Sequence, residues 1–372
     1  MLAAPELGCL AIADISGYTA YLVDTELDHA HDVLADLSET IVGALAPPMT
    51  FAKLEGDAAF VYRLGERIDA SLLLDSVAAC YAAFRNRVAS ITRATSCTCN
   101  ACVLIPRLDL KLVAHHGSFV RHRIRDSEEL TGADVVTVHR LLKNRVAEET
   151  RVTAYALYTA ACVGAMGIDP AALRMREHRE AFEGVGEVTA WVDDLAARWT
   201  ADQERRRVRI DPAGKGTLVV EGEVQAPASR VWELLTVPAL RAQWQDGVLR
   251  VDEQPAVGGV RGVGTVNHCV HGSGAVLEEI LDWRPPDYFT LTSNVGLPGV
   301  PPLLFSFELE QVTPERTRLR FLAAPPSGAA RLAWPLLARE LRKSTLASQR
   351  RLLALLDRET TSETPSATMP PP

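Results

Sequence analysis

The stretch "TADQERRRVRIDPAGKG", residues 200–216, most constrains what this chain can become. It is polar and charged, carries Pro and Gly, and has no apolar face to bury. A chain of 372 residues also outgrows a single core. The patterns on its two sides differ. Residues 1–199 alternate strand-like and helix-like runs. Residues 217–358 are mostly strand-like runs that close on one long helix, about 335–357. The division expected is therefore 1–199, a solvated linker at 200–216, a second module at 217–358, and a tail at 359–372. The tail, "ETTSETPSATMPPP", is Ser/Thr/Pro-rich and expected to be disordered.

Charge and cysteine usage exclude several function classes. The net charge of −8 argues against a general binder of nucleic acid or anionic membranes. The longest apolar stretch, "YALYTAACVGAM" (155–166), is too short to span a bilayer. The N-terminus lacks a basic region before its short apolar run, so no signal peptide is expected. Seven cysteines, three of them bunched, do not read as a secreted disulfide framework. A cytoplasmic protein with reduced thiols is the expectation.

The first module reads as α+β. "LAIAD" is a strand that ends on Asp14, next to the turn and cap residues Ser16, Gly17 and Thr19. The helix predicted over 26–45 presents Ala30, Val33, Leu34, Leu37, Ile41 and Leu45 on one face. "MTFAKLEGDAAFVYRL" (49–64) predicts a hairpin with Gly56 and Asp57 at its tip. A second amphipathic helix covers 69–91, a strand pair broken at Gly117 covers 108–120, and 179–195 predicts a closing hairpin. Asp14 could cap a helix. Paired with Asp57 it could instead hold a hard divalent cation, which takes carboxylate oxygens and leaves open positions for phosphate.

Taken together, "ADISGYT" and "KLEGDAAFVY" resemble the two metal-site motifs of class III nucleotidyl cyclases, with 43 residues from Asp14 to Asp57. "LKLVAHHG", "TGADVVTVHRLL" and "FEGVGEVTAWV" follow in that family's order, over about residues 8–195. The resemblance implies a ferredoxin-like-derived cyclase fold. It implies a two-metal site of Mg²⁺ or Mn²⁺ on Asp14 and Asp57, and a nucleoside triphosphate cradled by the backbone of Ile15, Ser16, Gly17 and Tyr18. Lys53 and Glu129 take base-contacting positions and Arg140 the arginine that offsets transition-state charge. It also implies a homodimer with sites built across the interface. The chain departs from the family at the ribose-binding asparagine, which is Val136, at the base-reading aspartate, which is Glu129, and at the closing lysines, which are Glu183 and Val185. Two readings follow: a metal-dependent cyclase making a cyclic nucleotide from ATP or GTP, or a domain that binds nucleotide without turnover.

The second module resembles START-like, polyketide-cyclase-related (SRPBCC) helix-grip proteins in "VEGEVQAPASRVWELLT", "ILDWRPPDYFTLT" and its last helix. That implies a curved antiparallel sheet around the helix, with a cavity for a small apolar ligand. "CTCNAC" places Cys97, Cys99 and Cys102 at spacing suited to zinc, with Cys80 or His115 as the expected fourth ligand. The alternative is a set of surface thiols. Glu26, His29 and His31 read as a solvated helix face.

Overall fold

The apolar run that ends on Asp14 forms the strand β1, Glu6–Ser16. The computed structural model describes residues 4–23, 25, 27–95, 97, 99–124, 127–272, 274–295 and 300–362. The chain divides into two compact units. The first holds Met1–Arg206 and the short segment Val257–Val260; the second begins at Arg207 and excludes that segment.

In the first unit β1 is followed by α1 (Tyr18–Val23), α2 (Leu27–Leu45), β2 (Thr50–Glu55), β3 (Ala58–Leu64), α3 (Ala70–Ala94) and α4 (Asn100–Leu104). Then come β4 (Asp109–Ile124), β5 (Ser127–Thr131), α5 (Ala133–Leu141), α6 (Val146–Thr150), β6 (Tyr155–Thr159), α7 (Ala160–Met166), β7 (Arg176–Phe182), β8 (Gly186–Asp194) and α8 (Leu195–Glu204). The sheet order is β2-β3-β1-β4-β6-β8-β7, with β5 paired to β4 off this path. Only β4 and β6 run parallel among these pairs.

Both faces of β1 are covered, which is why its apolar residues run on without alternation. Cys9, Ala11, Ala13 and Ile15 join the core made by α2 and α3. Leu10 and Ile12 face the other way, into a second core with Phe60, Val135, Val138 and Leu141. Each fully buried Leu or Ile contributes about 1.5–3 kcal/mol. The apolar face predicted for α2 is the one buried, from Ala30 to Leu45. The strand pair expected over 108–120 is instead the single strand β4, running through Gly117.

The second unit has β9 (Leu218–Val224), α9 (Ala228–Thr236), α10 (Pro238–Trp244), β10 (Arg250–Gln254), β11 (Val266–His271), β12 (Gly274–Arg284), β13 (Tyr288–Ser293), β14 (Leu303–Thr313), β15 (Arg316–Ala323) and α11 (Trp334–Ser362). All seven strands pair antiparallel in the order β10-β11-β12-β13-β14-β15-β9. Leu352 and Leu356 of α11 are buried in the core with Trp232, Trp283 and Phe289.

The 200–216 stretch is not a uniformly solvated linker. Thr200 to Glu204 are helical in α8. Beyond them the chain is already part of the second unit: Val208 N–H donates to Asp282 (2.8 Å), and Arg209 pairs with Glu308 (2.7 Å) and lies over the Tyr288 ring. Asp282 is fully buried, so an unmatched carboxylate there would be costly, and Val208, Tyr288 and Arg284 supply the donors. The stretch expected to be a disordered tail starts helical, because α11 runs to Ser362; residues 363–372 and Glu26 lie outside the described residues.

Candidate functional site

Two carboxylates meet at one edge of the first unit's core. Asp14 lies near the end of β1, and Asp57 follows Gly56 in the β2–β3 turn. Gly56 has φ +67, a conformation a side chain would strain, and it turns the chain so that Asp57 reaches Asp14. Two carboxyl groups this close disfavour the doubly charged state when no cation is between them. Burial, and then the Asp14 charge, push the Asp57 carboxyl up to about 7.

Lys111 completes this cluster and was not foreseen. It stands directly across from Asp14 in the β1–β4 register, and its ammonium lies 2.9 Å from the Asp14 carboxylate. It also donates to the Leu142 carbonyl at 3.2 Å. Asp14 therefore serves a charge cluster, which answers the helix-cap alternative. The signal available in the sequence was a lone lysine inside an apolar strand, since burying an ammonium requires a partner. Ile15 is buried, Ser16 ends β1, and Gly17 and Tyr18 lead into α1. The backbone assigned to the phosphates thus follows Asp14 directly.

The base-contacting positions also come together. Lys53 pairs with Glu129 (2.6 Å) and with Glu55 (3.1 Å). Glu129 is the main cause that holds the Lys53 ammonium above its ordinary range, against burial. Glu55 in turn accepts from His139 Nε2 at 2.7 Å. Glu55 and His139 were missed. Strand alternation puts Glu55 beside Lys53, but nothing local brings His139 of α5 to them.

Arg140 and Val136 lie one helical turn apart on α5, both exposed, Val136 by 52%. No hydrogen bond or ion pair joins Arg140 to the carboxylates among the described residues. Glu183 and Val185 sit in the β7–β8 turn, Glu183 exposed. The helix α5 is seated by its own first turn. Asp134 accepts from Ser118 N–H at 2.7 Å and bonds His115 Nε2 at 3.0 Å. Burial works to raise the Asp134 carboxyl, but His115 and Ser118 outweigh it and hold it below its ordinary range. Gly117 makes this possible, because a Cβ there would lie 2.3 Å from Asp134 Cγ.

The cysteine trio gathers with His29 of α2, not with Cys80 or His115. Cys80 is buried within α3, and His115 is held by Thr159 and Asp134. His29 is thus not merely part of a solvated helix face.

In the second unit a cavity of about 280 Å³ opens between the sheet and α11. Leu291, Phe305, Phe307 and Phe321 supply apolar wall, and Ser344, Ser348 and Gln349 present the polar side of α11. Glu278 also lines it, buried and paired with the equally buried Arg241 at 2.9 Å.

The "Uncharacterized protein Rv2561/Rv2562" of Mycobacterium tuberculosis is 35% identical over 164 residues, 44% of this chain and 74% of that protein. The chain belongs to the family of that protein. Its residues 34–150 match the family model described as "Protein of unknown function (DUF2652)". Residues 225–335 match "Activator of Hsp90 ATPase homolog 1-like protein", consistent with the helix-grip architecture of the second unit. Among solved structures, the adenylyl cyclase CyaB from P. aeruginosa is 16% identical over 52% of this chain and 97% of its own, with a TM-score of 0.36. Protein MLL2253 from Mesorhizobium loti is 24% identical over 38% of this chain and 97% of its own, with a TM-score of 0.31. The resemblance of the first unit to cyclases rests on its own sequence motifs, which place Asp14 near the end of β1 and Asp57 in the β2–β3 turn.

Proposed function

We propose that the first unit is a metal-dependent nucleotidyl cyclase that converts ATP or GTP to a cyclic nucleotide, and that the second unit senses a small apolar ligand. The observation that carries the reading is the placement of Asp57, in the β2–β3 turn, near enough to Asp14 at the end of β1 for the Asp14 charge to raise its carboxyl. Oxygen donors of this kind suit Mg²⁺ or Mn²⁺, and both residues are only partly buried. Asp14 and Asp57 would hold the metal, which when bound lowers the pKa of the attacking 3′-hydroxyl and offsets charge on the phosphate oxygens. Lys111 holds Asp14 in place from across the strand pair. The backbone of Ile15 to Tyr18 follows the first carboxylate and would face the triphosphate. Lys53 and Glu129 present a donor and an acceptor to a base, with Glu55 and His139 fixing Lys53. In the cyclisation the 3′-oxygen bonds to the α-phosphorus and pyrophosphate leaves. The exposed Arg140, brought by a second copy of the chain, would stabilise the charge that develops. A homodimer in the cytoplasm is part of this reading.

A second reading, nucleotide binding without turnover, is favoured by two observations. Val136 offers no hydrogen bond to a ribose, and the Lys111 ammonium already neutralises Asp14. In the second unit, the apolar walls beside the buried Glu278–Arg241 pair support an apolar ligand carrying one polar group.

The test incubates the full chain with Mn²⁺ and either ATP or GTP and reads products by mass spectrometry. A cyclic nucleotide that disappears in Asp57→Asn supports the cyclase. Wild type without product, with Val136→Asn gaining it, establishes the second reading and overturns the first.

A further inference from the structure

His29, Cys97, Cys99 and Cys102 stand on other elements than Asp14 and Asp57 and have no part in the proposed nucleotide site. They come from two places in the chain: the first turn of α2 (His29), and the stretch from the α3–α4 connection (Cys97, Cys99) into α4 (Cys102). Their donor atoms all lie within 4.8 Å of one another. His29 Nδ1 is 3.3 Å from Cys99 Sγ, 3.9 Å from Cys97 Sγ and 3.9 Å from Cys102 Sγ. All three cysteines are free thiols.

We infer that these four side chains form a structural zinc site. Zinc bonds sulfur at about 2.3 Å and imidazole nitrogen at about 2.0–2.1 Å in a tetrahedron, which places a sulfur and a nitrogen of one site about 3.6 Å apart. The three N···S distances here fall on both sides of that value. Sulfur and imidazole donors exclude Mg²⁺ and Ca²⁺, which take oxygen. Four protein donors leave no open position, the arrangement of a structural site and not of a catalytic one. The local backbone also suits a thiolate at Cys97, whose Sγ accepts from Cys99 N–H at 3.5 Å.

The site has a consequence for its neighbours. Ala101 lies between two of the ligands, fully buried, and its carbonyl accepts from the Tyr21 hydroxyl at 2.9 Å. Tyr21 is the buried residue of α1. A metal that ties α4 to α2 therefore also fixes α1. The zinc assignment is independent of what the carboxylate pair does.

The experiment uses the full chain purified from zinc-supplemented cells without chelator. Metal analysis should find about one zinc per chain. Exchange into Co²⁺ should give the intense thiolate-to-metal charge-transfer band and the visible bands of a tetrahedral site. In the zinc form Cys97, Cys99 and Cys102 should resist alkylation and become reactive when a chelator is added. The buried Cys9, Cys80, Cys162 and Cys269 should stay unreactive in both. His29→Ala should weaken retention, and His29→Cys should restore it with the spectrum of a four-sulfur site. Wild-type protein with no zinc and no cobalt band overturns the assignment, as does a zinc content that leaves the three thiols freely alkylated. The alkylation arm needs no variant, so misfolding of a cysteine mutant cannot mask the answer.

Discussion

Replacing Asp57 by asparagine should stabilise the metal-free protein, and only above mildly acidic pH. The Asp57 carboxyl is raised from 3.8 to about 7 by burial and by the Asp14 charge. The folded state thus holds the proton more tightly than the unfolded state. Stability is fully present below the unfolded pKa, near 4, falls as pH rises through the interval up to about 7, and is flat beyond. Fully expressed, that rise corresponds to about 4 kcal/mol. Asp57 is only partly buried, and screening by solvent reduces the expected effect to about 1–2 kcal/mol. Asparagine removes the charge but keeps an oxygen to accept and an amide to donate to Asp14. The gain in Asp57→Asn should therefore be about 1–2 kcal/mol at pH 8 and shrink to nothing near pH 4. Hydrogen exchange read by mass spectrometry suits this chain, because peptides from β1 and β3 report the first unit alone. Wild type and variant are compared at the same pH, so intrinsic exchange rates cancel. Saturating Mn²⁺ should reverse the order by stabilising wild type only. A variant less stable than wild type at pH 8, or a gain that does not change with pH, would refute the reasoning.

Substitutions at three further positions have expected outcomes. Lys111→Met should tighten Mn²⁺ binding by about 3–10-fold in a calorimetric titration, since a competing positive charge leaves Asp14. The same variant should lose about 1 kcal/mol of metal-free stability by hydrogen exchange in β1 and β4 peptides. Gly117→Ala should cost about 1–3 kcal/mol in denaturant melts, because the new Cβ displaces Asp134 from Ser118 and His115; a change under about 0.5 kcal/mol would show that α5 can shift freely. Arg241→Met should cost the second unit about 3–5 kcal/mol by leaving Glu278 buried and unmatched, and adding Glu278→Leu should recover most of that loss.

The local sequence determined a good deal. An unbroken apolar run ending on Asp14 is legible as a buried strand because the period of its burial is written in neighbouring residues. So is α2, whose apolar face repeats every three to four positions, and so is the hairpin that carries Asp57 at its tip. The resemblance of these stretches to cyclase motifs came from short-range spacing too. Tertiary structure decided what stands opposite what. Lys111 meets Asp14 only through the β1–β4 register. His139 reaches Glu55, and His29 reaches the cysteines, only when helices pack on the sheet. Val208 and Arg209 read as linker residues until Asp282 and Glu308 bind them. These pairings are set by the burial of whole faces and by the charges that burial must match. Such a match between groups distant along the chain leaves no periodicity in either segment to be read beforehand.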